Sequence, residues 1–445
     1  MGQTARAKKQ ILALNAFAAD NTSALSEDVA QLVARRRRSF GATSVLFYEQ
    51  PLHIVAAKGA EIFTADGRTY LDLYNNVPSV GHCHPKVVEA VSRQMGRYNT
   101  HTRYLFDEVH DYAERLLAHF PAPLTNVAFT CTGSESNDLA LRLIRGWTGG
   151  MGVIVTETAY HGNTSAVTEV SPSSYKTGAP PAHVRTVPPP HPRHYGADVG
   201  AGFAAAITAA AKSMADEGIA FAGLLVDSIF SSDGVYADPV GFLAPAFEAT
   251  RALGGLVIAD EVQPGFARTG SHMWGFARHG VVPDAVTMGK PMGNGFPMGG
   301  VVTRPELLAR FADEFGYFNT FGGNPVASAA GLAVLDAIAE DGLMENARRV
   351  GAFIVARLEG ARAGCPAIGE VRGAGLYLGV EIVSREDGAP DPAGASALIN
   401  RLRDKGILIG AAGPLGHVLK VRPPLCLSIE QAERFADAME QILGA

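Results

Sequence analysis

Five short apolar runs separated by helical segments constrain this chain more than any other feature in it. Residues 127–130, 153–156, 223–227, 256–260 and 285–288 are nearly continuous in apolar side chains. Between them, residues 136–145, 201–214 and 242–253 carry helical periodicity. Strands that are apolar on both faces need cover on both faces. The alternation therefore predicts an α/β fold with a mostly parallel sheet between two layers of helices.

Length and composition agree with a large globular core. The chain has 445 residues, of which 47% are apolar and 18% charged. Its 38 basic and 44 acidic side chains leave a net charge of -6, which argues against a general nucleic-acid binder. The cysteines Cys83, Cys131, Cys365 and Cys426 lack CxxC spacing, so neither a disulfide scaffold nor a metal site is indicated. The first residues show no apolar secretory stretch, and no run reaches bilayer length. The expectation is a cytoplasmic protein without a membrane partner.

The chain divides by its grain. Residues 1–60 read as a helical, peripheral segment leading into a small domain. Arg35 to Arg38 form a basic block there that suits a solvated helix face or a subunit contact. Residues 60–73 read as a hairpin turning at Asp66-Gly67. A large α/β domain is expected over 61–330, although 172–195, rich in proline and histidine, resists assignment. A small α+β domain is expected over 331–445. It would contain a long helical stretch at 325–358, strands at 376–381 and 418–421, and helices at 395–405 and 429–443.

Two of the apolar runs end on charge: Asp260 closes residues 256–260, and Lys290 follows 285–288 by one glycine. Strand ends of this kind point into the crevice where open α/β sheets bind ligands. A carboxylate there can hold a proton on a pyridine nitrogen, and a lysine amine can form a Schiff base. Together they point to pyridoxal phosphate. Each has a plainer alternative: Asp260 as a helix cap or arginine partner, Lys290 as a turn lysine. Strand alternation sends Asp260 and its neighbour Glu261 opposite ways.

Other segments add to this chemistry. Thr132-Gly-Ser-Glu-Ser-Asn137 follows a strand and opens a helix, where free N–H groups and the helix dipole favour a phosphate on Gly133 and Ser134. Tyr160-His161-Gly162 offers an aromatic to stack on a flat ring, or simply a packed one. Residues 287–300 are too dense in glycine and proline for regular structure. Thr320 can donate to phosphate. Arg422 can hold a substrate anion or a neighbouring carboxylate.

The joined motifs resemble the class III (omega) aminotransferase family of fold type I pyridoxal-phosphate enzymes. The most specific are Thr132-Gly-Ser-Glu-Ser-Asn-Asp138, Ala159-Tyr-His-Gly162, Ile258-Ala-Asp-Glu-Val-Gln263 and Thr287-Met-Gly-Lys-Pro291. The resemblance runs from about Phe47 to the C-terminus. It implies a seven-stranded central sheet and a homodimer, or a tetramer built from it, with shared active sites. It also implies that Lys290 carries the cofactor, Asp260 pairs with the ring nitrogen and Tyr160 covers the ring, with His161 beside it. Gln263 would lie near the phenolic oxygen, Gly133 and Ser134 would hold the phosphate, and Thr320 would reach in from the other subunit.

Within the family, Leu71-Asp-Leu-Tyr-Asn-Asn-Val77, Val80-Gly-His-Cys-His-Pro85, Asn99-Thr-His-Thr-Arg103 and Gly289-Lys-Pro-Met-Gly-Asn-Gly295 resemble the ethanolamine-phosphate and phosphohydroxylysine phospho-lyase branch. Asp227-Ser-Ile departs from the Glu-Pro pair common in transaminases. The expected activity is elimination of phosphate from O-phosphoethanolamine or a related phospho-amine. The alternative is omega-aminotransfer to a keto acid. A lyase needs groups for the substrate phosphate, and His82, Lys86, His101, Arg103 and Arg422 are the candidates. Surface or interface roles are the alternative for each.

Overall fold

A computed structural model describes residues 14–17, 25–43 and 45–444. The expectations for residues 1–13 and 18–24 lie outside that range. Glu27–Phe40 is a helix, with Arg35–Arg38 on its last turns.

Three sheets form. The first has strands β1 (Ile54–Lys58), β2 (Glu61–Thr64) and β3 (Thr69–Asp72). Asp66-Gly67 turns β2 into β3, with Gly67 at φ +79°. The central sheet contains β4 (Asn126–Thr130), β5 (Gly152–Thr156), β6 (Val184–Val187), β7 (Phe221–Val226), β8 (Leu256–Asp260), β9 (Ala285–Met288) and β10 (Gly299–Thr303). Their order is β4-β10-β9-β8-β7-β5-β6, and only β10 runs antiparallel to its neighbours. The third sheet is antiparallel: β11 (Ile368–Ala374), β12 (Tyr377–Ile382), β14 (Gly410–Ala412) and β15 (Val418–Val421). The short β13 (Ile407–Leu408) pairs in parallel with β3. A boundary at residue 61 therefore cuts through one sheet shared by the two ends of the chain.

Alternation within the central strands sorts the core. Ile154, Leu224, Val226 and Val257 pack towards Phe203, Ile207 and Phe247 of helices Val199–Asp216 and Leu243–Ala252. Val153, Val155, Leu225 and Ile258 pack on the other side towards Leu139, Leu143 and Ile144 of helix Gly133–Thr148 and Leu307 of helix Pro305–Glu314. Each fully buried side chain of this size contributes roughly 1.5–3 kcal/mol. The α/β architecture with helices on both faces is as expected.

Two expectations are corrected. The segment 325–358 is two helices, Pro325–Glu340 and Leu343–Gly364, broken where Gly342 takes φ +63°. The irregular segment 172–195 contains β6, which the flanking prolines concealed.

The parallel strands carry the chain towards one edge of the sheet. Cys131 follows β4, Asp227 follows β7, Asp260 ends β8 and Gly289-Lys290 follows β9. The antiparallel β10 enters from the same edge through Pro297 and Met298. The strand ends define the mouth of a cleft.

Candidate active site

A cleft of about 300 Å³ opens at this edge. Gly133, Ser134, Tyr160, His161, Asp260, Gln263 and Lys290 all line it, together with Asp227, Cys131 and Phe296.

Helix Gly133–Thr148 points its N-terminus into the cleft. Thr132 caps it, its side chain accepting from the Glu135 N–H at 3.1 Å. The amides of Gly133 and Ser134, first in the helix, have no intrahelical acceptor and remain for a ligand. Gly162 sits against them at φ +142°, where a Cβ would come within 2.5 Å of Ser134 Oγ. Gly289, next to Lys290, allows a similar approach: a Cβ there would lie 2.8 Å from the Gly133 nitrogen. Backbone close-packing thus brings the anion end and the lysine strand together.

Asp260 is 4% exposed and held on three sides. His161 Nδ1 lies 2.7 Å from its Oδ2, Asn137 Nδ2 donates to the same oxygen at 3.0 Å, and the Val262 N–H donates to Oδ1 at 3.1 Å. Glu261 turns away, fully buried, accepting from Ser228 Oγ and from the N–H groups of Gly275 and Phe276. Burial pushes its pKa up to about 7. The helix-capping role weighed for Asp260 thus belongs to its neighbour.

Lys290 is partly buried on the floor of the cleft. Burial first, then the positive charge of Arg422, lowers its amine to about 8, against the pull of Asp260 and Asp227. A lysine in this state is nucleophilic near neutral pH.

One wall is polar. Gln263 Oε1 accepts from Asn76 Nδ2 at 2.5 Å and from Arg422 Nη1 at 2.9 Å. Arg422 is buried, with Asn76 Oδ1 at 3.2 Å and the Tyr74 ring 4.5 Å from its Cζ. Two residues earlier on β15, Lys420 is also buried. Its amine makes no hydrogen bond or ion pair among the described residues. Its pKa is well below the ordinary lysine value because of burial and then Arg422. Asn76, Asn137, Asp227 and Lys420 were not singled out as site residues from sequence.

Six candidates lie outside the lining: Arg422 behind Gln263, and His82, Lys86, His101, Arg103 and Thr320 farther off. His82 Nε2 lies 2.7 Å from buried Asp72, and Lys86 pairs with Glu340 and Asp341. Arg103 stacks over Phe318 at 4.0 Å, and His101 stacks on Tyr104. His82 and Lys86 are committed to carboxylates elsewhere. His101, Arg103 and exposed Thr320 neighbour the exposed apolar side chains Tyr104, Leu105 and Phe321.

The residues fit pyridoxal phosphate. The free amides of Gly133 and Ser134 could receive its phosphate, Tyr160 lines the same cleft, and the buried Asp260 carboxylate could pair with a cationic nitrogen. His161 Nε2 is buried without a partner, which leaves the site one contact short of satisfied. Fold and cleft together define a fold type I pyridoxal-phosphate-dependent enzyme. The family described as Aminotransferase class-III matches residues 47–443, and the chain belongs to that family.

Similarity to individual proteins extends over nearly the whole chain. The alanine–glyoxylate aminotransferase 2-like protein of Drosophila melanogaster is 39% identical over 434 residues, covering 93% of this chain and 87% of the relative. Ethanolamine-phosphate phospho-lyase homolog 1 of Caenorhabditis elegans is 35% identical over 435 residues, covering 93% of each. A phospholyase from Arthrobacter, solved in complex with phosphoethanolamine, superposes with a TM-score of 0.89 at 43% identity, covering 93% of this chain and 99% of that one.

Proposed function

We propose that this enzyme is a phospho-lyase that eliminates phosphate from O-phosphoethanolamine or a close phospho-amine. The observation that carries the reading is the 43% identity, along 93% of the chain, to the Arthrobacter phospholyase. The charge behind the cleft supports it. Arg422, hydrogen-bonded to the lining residue Gln263, provides positive charge in addition to the Gly133 and Ser134 amides available to the cofactor phosphate.

When bound, pyridoxal phosphate supplies an electron sink for the carbon bearing the substrate amine. Lys290 would hold the cofactor, and its amine would take the proton from that carbon. Its lowered pKa suits both roles. Asp260, oriented by His161 and Asn137, balances the charge of a protonated ring nitrogen. Tyr160 would cover the ring, and Thr320 of the partner subunit would complete the phosphate seat. Arg422 and Lys420 hold the substrate phosphate as its carbon–oxygen bond breaks. Water consumed in the overall reaction yields aldehyde, ammonia and inorganic phosphate.

A second reading, omega-aminotransfer to pyruvate or glyoxylate, is favoured by the 39% identity to the Drosophila aminotransferase-like protein. Incubation with O-phosphoethanolamine, with and without pyruvate, separates the two. Phosphate and acetaldehyde released without pyruvate support the lyase. Alanine formed only with pyruvate, and no phosphate, overturns it.

A further inference from the structure

Asn137 is the fifth residue of helix Gly133–Thr148 and is fully buried. Its amide makes three hydrogen bonds to three different elements. Nδ2 donates to Asp260 Oδ2 at 3.0 Å and to the main-chain oxygen of His161 at 2.8 Å. Oδ1 accepts from Thr287 Oγ1 at 2.7 Å. Thr287 stands opposite Asp260 in the β8–β9 register and three residues before Lys290.

Only one orientation of this amide satisfies the site. Rotated by half a turn, its oxygen would face the Asp260 carboxylate and the His161 carbonyl, three acceptors without a donor. The Thr287 hydroxyl locks the correct orientation by donating to the oxygen. One side chain thus indexes the helix of Gly133 and Ser134, the loop of Tyr160 and His161, the strand of Asp260 and the strand leading to Lys290.

We propose that Asn137 is the positioning residue of the cofactor site, fixing Asp260 relative to Lys290 through its paired donation to Asp260 and acceptance from Thr287. It touches no reacting atom and acts through Asp260. A loosely held Asp260 would meet the ring nitrogen at variable angle and distance, and stabilisation of charge on the ring depends on that contact. The role holds for lyase and aminotransferase alike.

The test uses Asn137→Asp, Thr287→Val and Thr287→Ser in the cofactor-loaded enzyme. Asn137→Asp keeps the shape but sets an acceptor against Asp260. Thr287→Val keeps the shape but leaves the amide oxygen without its donor, so the amide is held from one side only, and Thr287→Ser preserves the hydroxyl. The readouts are the cofactor dissociation constant and the pH midpoint of the bound cofactor's visible absorbance. Asn137→Asp is expected to weaken cofactor binding by about tenfold or more, the scale of losing a hydrogen bond to a charged group. It should also displace the midpoint. Thr287→Val should move both in the same direction by less, and Thr287→Ser should leave both unchanged. Wild-type midpoint and affinity in Asn137→Asp and Thr287→Val, with only the melting temperature lowered, would overturn the proposal. Should Asn137→Asp not fold, Thr287→Val decides by the same criteria.

Discussion

Arg193 grips both carboxylate oxygens of Glu381, at 2.8 and 2.9 Å, and so fastens the segment after β6 to the C-terminal sheet. Glu381 is 1% exposed and also meets His417 Nε2 at 3.2 Å and Arg372 Nη1 at 3.7 Å. Burial alone would raise its pKa. The contacts from His417, Arg193 and Arg372 overrule burial and hold the carboxyl far below the usual range. A carboxyl depressed in the folded state stabilises at pH above its unfolded value, about 4.3, and that stability is lost as pH falls through the folded value. Glu381→Gln should therefore flatten the acid limb of the stability curve. Glu381→Ala, which leaves Arg372 largely buried and Arg193 half-exposed without their acceptor, should cost about 1–3 kcal/mol at neutral pH. Denaturant unfolding from pH 3 to 7 measures both, and identical acid limbs in wild type and Glu381→Gln would remove the clamp from the account.

The lowered pKa of Lys290 makes the apoprotein informative. Only the neutral amine captures the cofactor aldehyde, so the capture rate should climb with pH, reach half its plateau near 8 and level off above that. An ordinary lysine would keep climbing towards about 10.4. Because the charge of Arg422 assists burial in lowering this pKa, Arg422→Gln should move the plateau upward. Stopped-flow absorbance after cofactor addition gives the profile. A wild-type rate still rising at about pH 10 would show that the amine is not desolvated as the fold implies.

The charge behind the cleft predicts a split between substrate affinity and turnover. Replacing Lys420 by Met should raise KM for O-phosphoethanolamine by up to about tenfold, the value of an ordinary hydrogen bond. The cofactor's absorbance should stay intact. Arg422→Gln should do the same and also loosen Gln263 and Asn76, which share its guanidinium. Inorganic phosphate should protect wild type against thermal unfolding and fail to protect Lys420→Met. Equal KM values in wild type and Lys420→Met would assign the lysine to internal charge balance against Asp227 and Asp233.

How much of this was legible follows from what sequence patterns encode. Residues 256–260 and 285–288 stand in the structure with the boundaries read from sequence, because each is a strand-length apolar run ended by a charge or a glycine. β10 escaped notice because Gly299-Gly300-Val-Val-Thr303 merges into the glycine- and proline-rich stretch before it. Asp260 and Lys290 were readable as strand ends, where local chemistry alone raises the question of a ligand. Lys420 and Arg422 alternate with Leu419 and Val421, a pattern that separates two faces without saying which one meets solvent. The charged face lies behind the cleft, where Arg422 reaches the lining residue Gln263, only because β15 packs there. His82 and Lys86 show the converse. Their charges looked available in sequence, but Asp72, ten residues away, and Glu340 in a distant helix engage them. Asn137 had one usable signal, since it lies four residues after Gly133 on the helix face that turns inward.

Thr320 gives the sharpest test of a shared active site. In the single chain it is exposed and stands apart from the cleft lining, in a loop bordered by Phe318 and the largely exposed Phe321. If a second copy covers this surface, each cleft draws Lys290 from one subunit and Thr320 from the other. Lys290→Ala and Thr320→Ala should then each be impaired alone. Unfolding and refolding an equal mixture should create heterodimers with one doubly defective cleft and one intact cleft. With random pairing, about a quarter of wild-type activity is expected to return. Sedimentation should show a dimer or a larger assembly throughout. A mixture no more active than the sum of its parts, from dimers shown to have exchanged subunits, would place Thr320 in its own subunit's site or in none.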